Sequence, residues 1–309
     1  MHIDYHELPK LRDSLSYLFV EHVVVERAQH AIELIRKEGR VLVPAAALSL
    51  LMLGPGTSIT HAAMKLLAEY GCSVLWTGED GIRLYAQGTG ETHRAYHLLR
   101  QAELVCDPQE RARVVVRMYE KRFGMAIDPE LSLQQIRGME GSRVRSAYAQ
   151  ASQEYGVPWQ GRIYDRKEWG NADTINRALS AANALLNGIC HAAIVAGGYS
   201  PALGFIHQGR QLSFVYDIAD LYKTEITIPV AFQVVSETED AVERRVREAC
   251  RAKFYQVKLL ERILKDIDEL LGVTPEEMAE AALDNGEDDT QPAPLWEALL
   301  DEPGQMAWS

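Results

Sequence analysis

The four cysteines, Cys72, Cys106, Cys190 and Cys250, are spread so widely that no two lie closer than 34 residues. This spacing excludes a Cys-x-x-Cys zinc clamp or thiol-exchange pair and reads as free thiols in a reducing cytosol. Long apolar runs are missing too. The N-terminus, MHIDYHELPKLRD, carries charge where a secretory signal needs its apolar stretch, and no run of about 18 uninterrupted apolar residues follows. The expectation is a cytoplasmic protein that engages no membrane. Phosphate-cradling G-x-x-x-x-G-K-[ST] does not occur, and Gly88-Thr89-Gly90 lacks the third glycine of a dinucleotide turn. G-x-S-x-G and His-Glu-x-x-His are also absent. Nucleotide-driven chemistry, a serine triad and a zincin helix all lose their best support.

What is present is an ordinary globular balance: 309 residues, 47% hydrophobic and 25% charged, enough for one large or two medium domains. The net charge of −12 argues at first against a polyanionic ligand, but its distribution removes that objection. Val273–Ser309 holds ten acidic residues and no Lys or Arg, so the rest of the chain carries only −2. Residues 111–170 hold eleven Lys or Arg against seven Asp or Glu, including Arg137, Arg143, Arg145, Arg162, Arg166 and Lys167. A nucleic-acid surface fits there, as does a helix surface made basic for solubility.

Hydropathy patterning predicts an α+β chain. Residues 1–90 read as a small, mainly β domain: a meander of short strands through LSYLFVEHVVV, AIELI, VLVP and AAALSLLML, then a helix capped by Thr57 or Ser58 and running to Tyr70, then CSVLW and GIRLYAQG. Residues 91–272 read as a larger all-α domain. Its most apolar helix runs from an Asp173/Thr174 cap to Gly197-Gly198 and is expected at the centre. A single helix over 241–271, with Val246, Phe254, Val257, Leu260 and Ile263 on one face, should pack one side only. Residues 273–309 read as an acidic, mobile tail.

Within the helical part, SFVYDIADLYK places Asp217 and Asp220 three residues apart, on one helix face. His207 lies in a Gly-flanked loop, residues 204–209, that leads into that helix and can bring an imidazole beside the pair. Carboxylates with one imidazole suit Mg²⁺ or Mn²⁺ rather than zinc. The same spacing is met if Asp217 caps a helix with Asp220 in its first turn, and Glu140 in RGMEGSRVR is equally an N-terminal helix carboxylate paired with Arg143 or Arg137. Tyr148, Tyr164, Trp169 and Tyr216 read as helix packing or as base-stacking groups.

These stretches, with LPKLRDSLSYLFVEH, LMLGPGTSITHAAMKLLAEYG, GIRLYAQG, YDRKEWGNADTINRALSAANALLNG and ALGFIHQGRQLSFVYDIADLYK, resemble the larger adaptation protein of CRISPR systems, most closely the I-E subtype. The resemblance covers about residues 8–271. It implies a metal-dependent endonuclease and integrase that inserts protospacer DNA into a CRISPR array by attack of a 3′-OH on a phosphodiester, the step of spacer acquisition. It implies Glu140, His207 and Asp217 as ligands of Mg²⁺ or Mn²⁺, with Asp220 also needed for catalysis. On that basis His207→Ala or Asp217→Ala is expected to keep fold and DNA affinity while abolishing strand transfer. DNA contacts are implied at Lys65, Arg83, Arg137, Arg145, Arg162, Tyr164, Trp169, Tyr216, Lys223, Arg244 and Arg247.

Two positions depart from the family pattern: His22 stands where a Tyr usually stacks on the duplex end, and Ser58 where an Arg is common. The implied partners are double-stranded DNA, both protospacer and CRISPR repeat, and a dimer of a small ferredoxin-like adaptation protein flanked by two homodimers of this chain. The acidic tail is expected near that partner. A stand-alone metal-dependent nuclease on branched DNA, or a non-catalytic DNA-binding scaffold, are the alternative readings.

Overall fold

Strand-forming residues dominate up to position 87 and helix-forming ones follow, and the architecture divides accordingly. The computed structural model describes residues 17–48, 50–78, 84–88, 96–162, 173–238 and 240–274. Strands β1 (Tyr17–Val20), β5 (Leu50–Leu53), β7 (Ser73–Thr77) and β8 (Leu84–Gln87) form one sheet in that order. A second sheet runs β4 (Gly39–Pro44), β3 (Ala31–Arg36), β2 (Val24–Ala28), β6 (Ser58–Ile59).

The expected meander holds for β2–β3–β4, which pair antiparallel across tight turns. It fails for β1, β5 and β7, which are parallel. The reason lies in β5, whose LLML run is buried at every residue: a strand with no polar face belongs inside a sheet covered on both sides, and parallel neighbours need a crossover. Helix α1 (His61–Glu69) supplies it. Its cap is Thr60, whose hydroxyl accepts from Ala63 N–H at 3.3 Å, one turn later than expected. Thr57 instead donates to the Val20 carbonyl at 3.2 Å, and Ser58 lies in β6. Val20, Val25, Ile32, Leu51, Leu53, Leu66, Leu67 and Val74 close the core between sheets and helix.

Eight further helices follow among the described residues: α2 (Tyr96–Cys106), α3 (Pro108–Phe123), α4 (Leu133–Tyr155), α5 (Thr174–Ala196), α6 (Ser213–Ala219), α7 (Ile228–Glu237), α8 (Val242–Gln256) and α9 (Leu259–Leu271). Asp173 caps α5 by accepting from Asn176 N–H at 2.8 Å, and Gly197 ends it, as the sequence predicts. Apolar all round, α5 packs against α6, α7, α8 and α9. It is long and apolar enough to cross a membrane, yet 67% of its most apolar window is buried within the fold.

The single helix expected over 241–271 is two. Lys258 turns into the left-handed region at φ +47°, and the chain restarts. The buried stripe of α8, Val242, Val246, Cys250 and Phe254, continued at helical spacing would carry Glu261 and Lys265 inward. The break rephases the chain so that Leu259, Leu260, Ile263, Ile267 and Leu270 face the core instead. Residues 275–309, most of the acidic tail, lie outside the described residues.

Candidate active site

Four elements bring the candidate residues together. Helix α4 carries Glu140; it starts at a reciprocal cap in which Ser132 Oγ accepts from Gln135 N–H and Gln135 Oε1 accepts from Ser132 N–H at 2.9 Å. Glu140 sits two turns inside, so the terminal-carboxylate reading fails, while its pairing with Arg143 is met. Arg143 donates through Nε to Glu140 Oε2 at 2.8 Å and through Nη2 to Oε1 at 3.0 Å, a two-pronged grip. Its remaining Nη1 donates to Thr224 Oγ1 at 2.8 Å. Thr224 belongs to a π-helical turn, Lys223–Thr227, between α6 and α7, the kind of local widening that re-aims side chains at functional sites.

Asp217 is interior to α6 and fully buried, not a cap. Its Oδ2 accepts from the N–H groups of Phe205 at 2.6 Å and Ile206 at 3.0 Å; Oδ1 accepts from His207 N–H at 2.9 Å and His207 Nδ1 at 2.7 Å. The 205–207 segment thus wraps one carboxylate, which needs Gly204: a Cβ there would stand 2.7 Å from Ser213 Cβ and closer still to the His207 carbonyl oxygen. Because Nδ1 donates, the imidazole keeps its lone pair on Nε2, at the ring's other edge. With four N–H donors on two oxygens, Asp217 has little left to offer an ion. That arrangement runs against the direct ligand role expected for it.

Asp220, at the C-terminus of α6, is set differently. Lys223 Nζ donates to Oδ1 at 2.6 Å, and Arg122 Nη2 lies 3.6 Å from Oδ2. Burial pushes the Asp220 carboxyl up, but Lys223 and Arg122 together outweigh it and hold the group below its ordinary value. Arg122, near the end of α3, belongs to none of the motifs visible in the sequence. Its side chain is 3% exposed, lies over the Tyr119 ring, sits 3.6 Å from Glu140 Oε1, and donates to the Asp217 carbonyl at 3.2 Å. One buried guanidinium therefore touches α4 and both ends of the Asp217–Asp220 pair.

Among the described residues no three His, Cys, Asp or Glu side chains stand around a single point as an ion would need, and Arg122 reaches within 3.6 Å of both Glu140 and Asp220. The donor set itself, two carboxylates and an imidazole with a free lone pair, is of the kind that takes a hard to intermediate divalent ion.

The expected DNA-contact residues scatter more widely. Tyr216 stands edge-on to His207, ring centroids 5.9 Å apart, and Lys223 lies in the network. Arg137 and Arg145 are exposed on α4; Arg244 is exposed on α8 beside Glu248, with Arg247 half-buried next to it; Lys65 is exposed on α1. Arg162 turns inward, donating to Asn176 O at 3.0 Å and Oδ1 at 3.1 Å and to Ser180 Oγ at 2.9 Å. These bonds tie it to α5. Tyr148 also packs, stacked on Trp159 at 4.4 Å. His22 is exposed, at φ +54°, with its ring against Gly56. Arg83, Tyr164 and Trp169 lie outside the described residues.

Comparison with known proteins places the chain in a family. The model of the family "CRISPR associated protein Cas1" matches residues 116–251, a span that contains Glu140, His207, Asp217 and Asp220. A CRISPR-associated endonuclease Cas1 of Thermus thermophilus is 52% identical over 305 residues, 98% of this chain and 92% of the relative. The Escherichia coli K12 CRISPR-associated endonuclease Cas1 is 43% identical over 262 residues, 84% of this chain and 86% of its own. The crystal structure of a TtCas1–DNA complex superposes with a TM-score of 0.77 at 54% identity, covering 86% of this chain and all of that one. With identity this high over nearly the whole length, and with a β region followed by a helical one, this chain belongs to the Cas1 family of CRISPR-associated endonucleases.

Proposed function

We propose that this chain is a metal-dependent DNA endonuclease and integrase of the I-E subtype, acting in the cytoplasm to insert protospacer DNA into a CRISPR array. Its two working parts are a β domain, residues 1–90, and a catalytic helical domain, residues 91–272. The observation that carries the reading is the meeting of α3, α4, the 204–209 loop and α6 on one network holding Glu140, His207, Asp217 and Asp220. Relatives named endonucleases at 43% and 52% identity support the enzyme class, and a DNA-bound relative supports the substrate.

Glu140, His207 and Asp220 are the residues we assign to hold Mg²⁺ or Mn²⁺, with Asp217 fixing His207. This exchanges the roles expected from the sequence for the two aspartates, since Asp217 is enclosed by four N–H donors while Asp220 meets two cationic side chains, Lys223 at 2.6 Å and Arg122 at 3.6 Å. A bound divalent cation supplies charge stabilisation at the attacking, leaving and phosphoryl oxygens. The protein's own part is to hold that donor set rigid and to seat the phosphodiester. Of the three cations in the network, Lys223 is the most open, 31% exposed against 25% for Arg143 and 3% for Arg122, and suits a phosphate best. The DNA 3′-OH attacks phosphorus and gives up its proton, the bond to the leaving 3′-oxygen breaks, and that oxygen takes a proton. One phosphodiester replaces another, so no nucleotide fuel is required.

Lys65, Arg83, Arg137, Arg145, Tyr164, Trp169, Tyr216, Lys223, Arg244 and Arg247 are proposed to line the duplex path, with His22 stacking on the duplex end. A fluorescent base analogue at that end distinguishes His22→Tyr from His22→Ala: the Tyr variant should quench it more strongly and the Ala variant less. The partners proposed are protospacer and repeat DNA and the small ferredoxin-like adaptation protein, between two homodimers of this chain, with the acidic tail folding on assembly. Truncation after Gly272 that leaves assembly and end selection intact would remove the tail from the proposal.

The deciding experiment incubates labelled protospacer ends and a supercoiled repeat target with this chain and the small partner, with and without Mn²⁺. Joined product that appears only with Mn²⁺ and vanishes in His207→Ala is the expected result. Cleaved but unjoined ends would replace the integrase with a stand-alone nuclease, and metal-independent binding without cleavage would leave a scaffold.

A further inference from the structure

The network around the candidate site has no net negative charge before any ion arrives. Glu140, Asp217 and Asp220 bring three negative charges; Arg122, Arg143 and Lys223, each within 4 Å of a Glu140 or Asp220 carboxylate oxygen, bring three positive ones, and Arg111, which donates to the Phe205 carbonyl behind the loop, adds to the positive side. Two of the cations have nowhere else to go. Arg122 is 3% exposed and also bonded to the Asp217 carbonyl, and Arg143 is held at three points by Glu140 and Thr224. His207 can offer Nε2 to an ion only as a neutral ring, so it adds no charge to the ion-bound state. A divalent ion seated beside Glu140 and Asp220 would therefore leave the half-buried cluster at least two charges in excess, and excess charge in a low-dielectric site is costly.

We infer that the divalent ion and a DNA phosphate enter this site together, each bound weakly alone, because the phosphate supplies the negative charge that the resident arginines and lysine cancel. The inference rests on the metal reading above and deepens it. Its consequence is that the free protein carries little ion and the site becomes complete only when a phosphodiester is in place. Coupling of this sort is reciprocal, so Mn²⁺ must tighten DNA by the same factor that DNA tightens Mn²⁺.

The test titrates Mn²⁺ into the full chain and follows free Mn²⁺ by electron paramagnetic resonance, with and without a saturating short duplex, the duplex alone serving as blank. The expected result is an affinity at least about tenfold higher in the presence of duplex. Arg122→Met and Lys223→Met should each bind Mn²⁺ about tenfold more tightly than the parent in the absence of DNA, since each removes one opposing charge. Lys223→Met carries this arm if the buried Arg122 variant fails to fold. Mn²⁺ binding that is lost in His207→Ala yet indifferent to duplex, and not tightened by either substitution, overturns this inference alone. Absence of any His207-dependent Mn²⁺ binding, with or without duplex, overturns the metal reading and takes the inference with it.

Discussion

Asp217 Oδ1 receives two hydrogens from one residue, the backbone N–H of His207 at 2.9 Å and its ring Nδ1 at 2.7 Å. The carboxylate is therefore both a folding element and a setting for the imidazole, and the two jobs separate on substitution. Asp217→Ala strips partners from the N–H groups of Phe205, Ile206 and His207, each a buried or part-buried donor whose loss costs about 1–3 kcal/mol. We expect urea denaturation to show at least about 3 kcal/mol of lost stability for Asp217→Ala, and under about 1 kcal/mol for His207→Ala, whose side chain is 43% exposed. Equal stability of the two variants would refute the enclosed geometry.

Gly204 and Gly209 bracket the same loop for different reasons. Gly204 has no room, with Ser213 Cβ 2.7 Å and Ser213 C 2.8 Å from where a Cβ would stand. Gly209 has room but sits at φ +75°. Gly204→Ala should cost about 3 kcal/mol as overpacking and shift the 205–207 segment off Asp217, whereas Gly209→Ala should cost about 1 kcal/mol as backbone strain alone. Thermal melts together with the His207 ring resonances by NMR check both: only the Gly204 variant should move the ring signals.

Much of this is legible in the sequence. The apolar 174–196 stretch between an Asp cap and a Gly stop announces a central helix, and alternation in AIELI announces a half-buried strand. Parallel pairing of β1, β5 and β7 is not legible, because an all-apolar strand gives no register. Nor is the break at Lys258, where neither Gly nor Pro marks the turn and only the rephasing of the buried stripe demands it. At the site, the i, i+3 spacing correctly puts Asp217 and Asp220 on one short element, but spacing cannot say which carboxylate is wrapped by backbone N–H groups. Arg122 stays hidden for a similar reason: its partners are 18 to 98 positions away, and a lone Arg near a helix end carries no motif.

The Asp220 carboxyl offers a pH test. Burial raises it, and Lys223 and Arg122 reverse that shift to leave it below the ordinary aspartate value. A depressed folded-state value stabilises the protein above the unfolded value and loses that contribution as pH falls through the folded one. Lys223→Met removes the strongest opposing charge, so the Asp220 midpoint should rise, and acid unfolding should begin at higher pH than in the parent. A carbon-13 titration of the Asp220 carboxyl reads the first shift and circular dichroism across the acid range reads the second. A midpoint unchanged by the substitution would show that Lys223 does not hold the carboxylate.

Lys258 supplies the last test, because its strain is local and its side chain makes only a loose surface pair with Glu261 at 3.7 Å, worth little in water. A non-glycine residue at φ +47° costs roughly 1 kcal/mol relative to glycine in the same conformation, offset in part by the extra freedom glycine has when unfolded. Lys258→Gly should leave stability unchanged or raise it by up to about 1 kcal/mol. Lys258→Val, β-branched and disfavoured in the left-handed region, should lower it by more than that. If instead the Gly variant were the weaker of the two, α8 and α9 would be one continuous helix in solution, and the rephased stripe of Leu259, Leu260 and Ile263 would have to find another partner than α5.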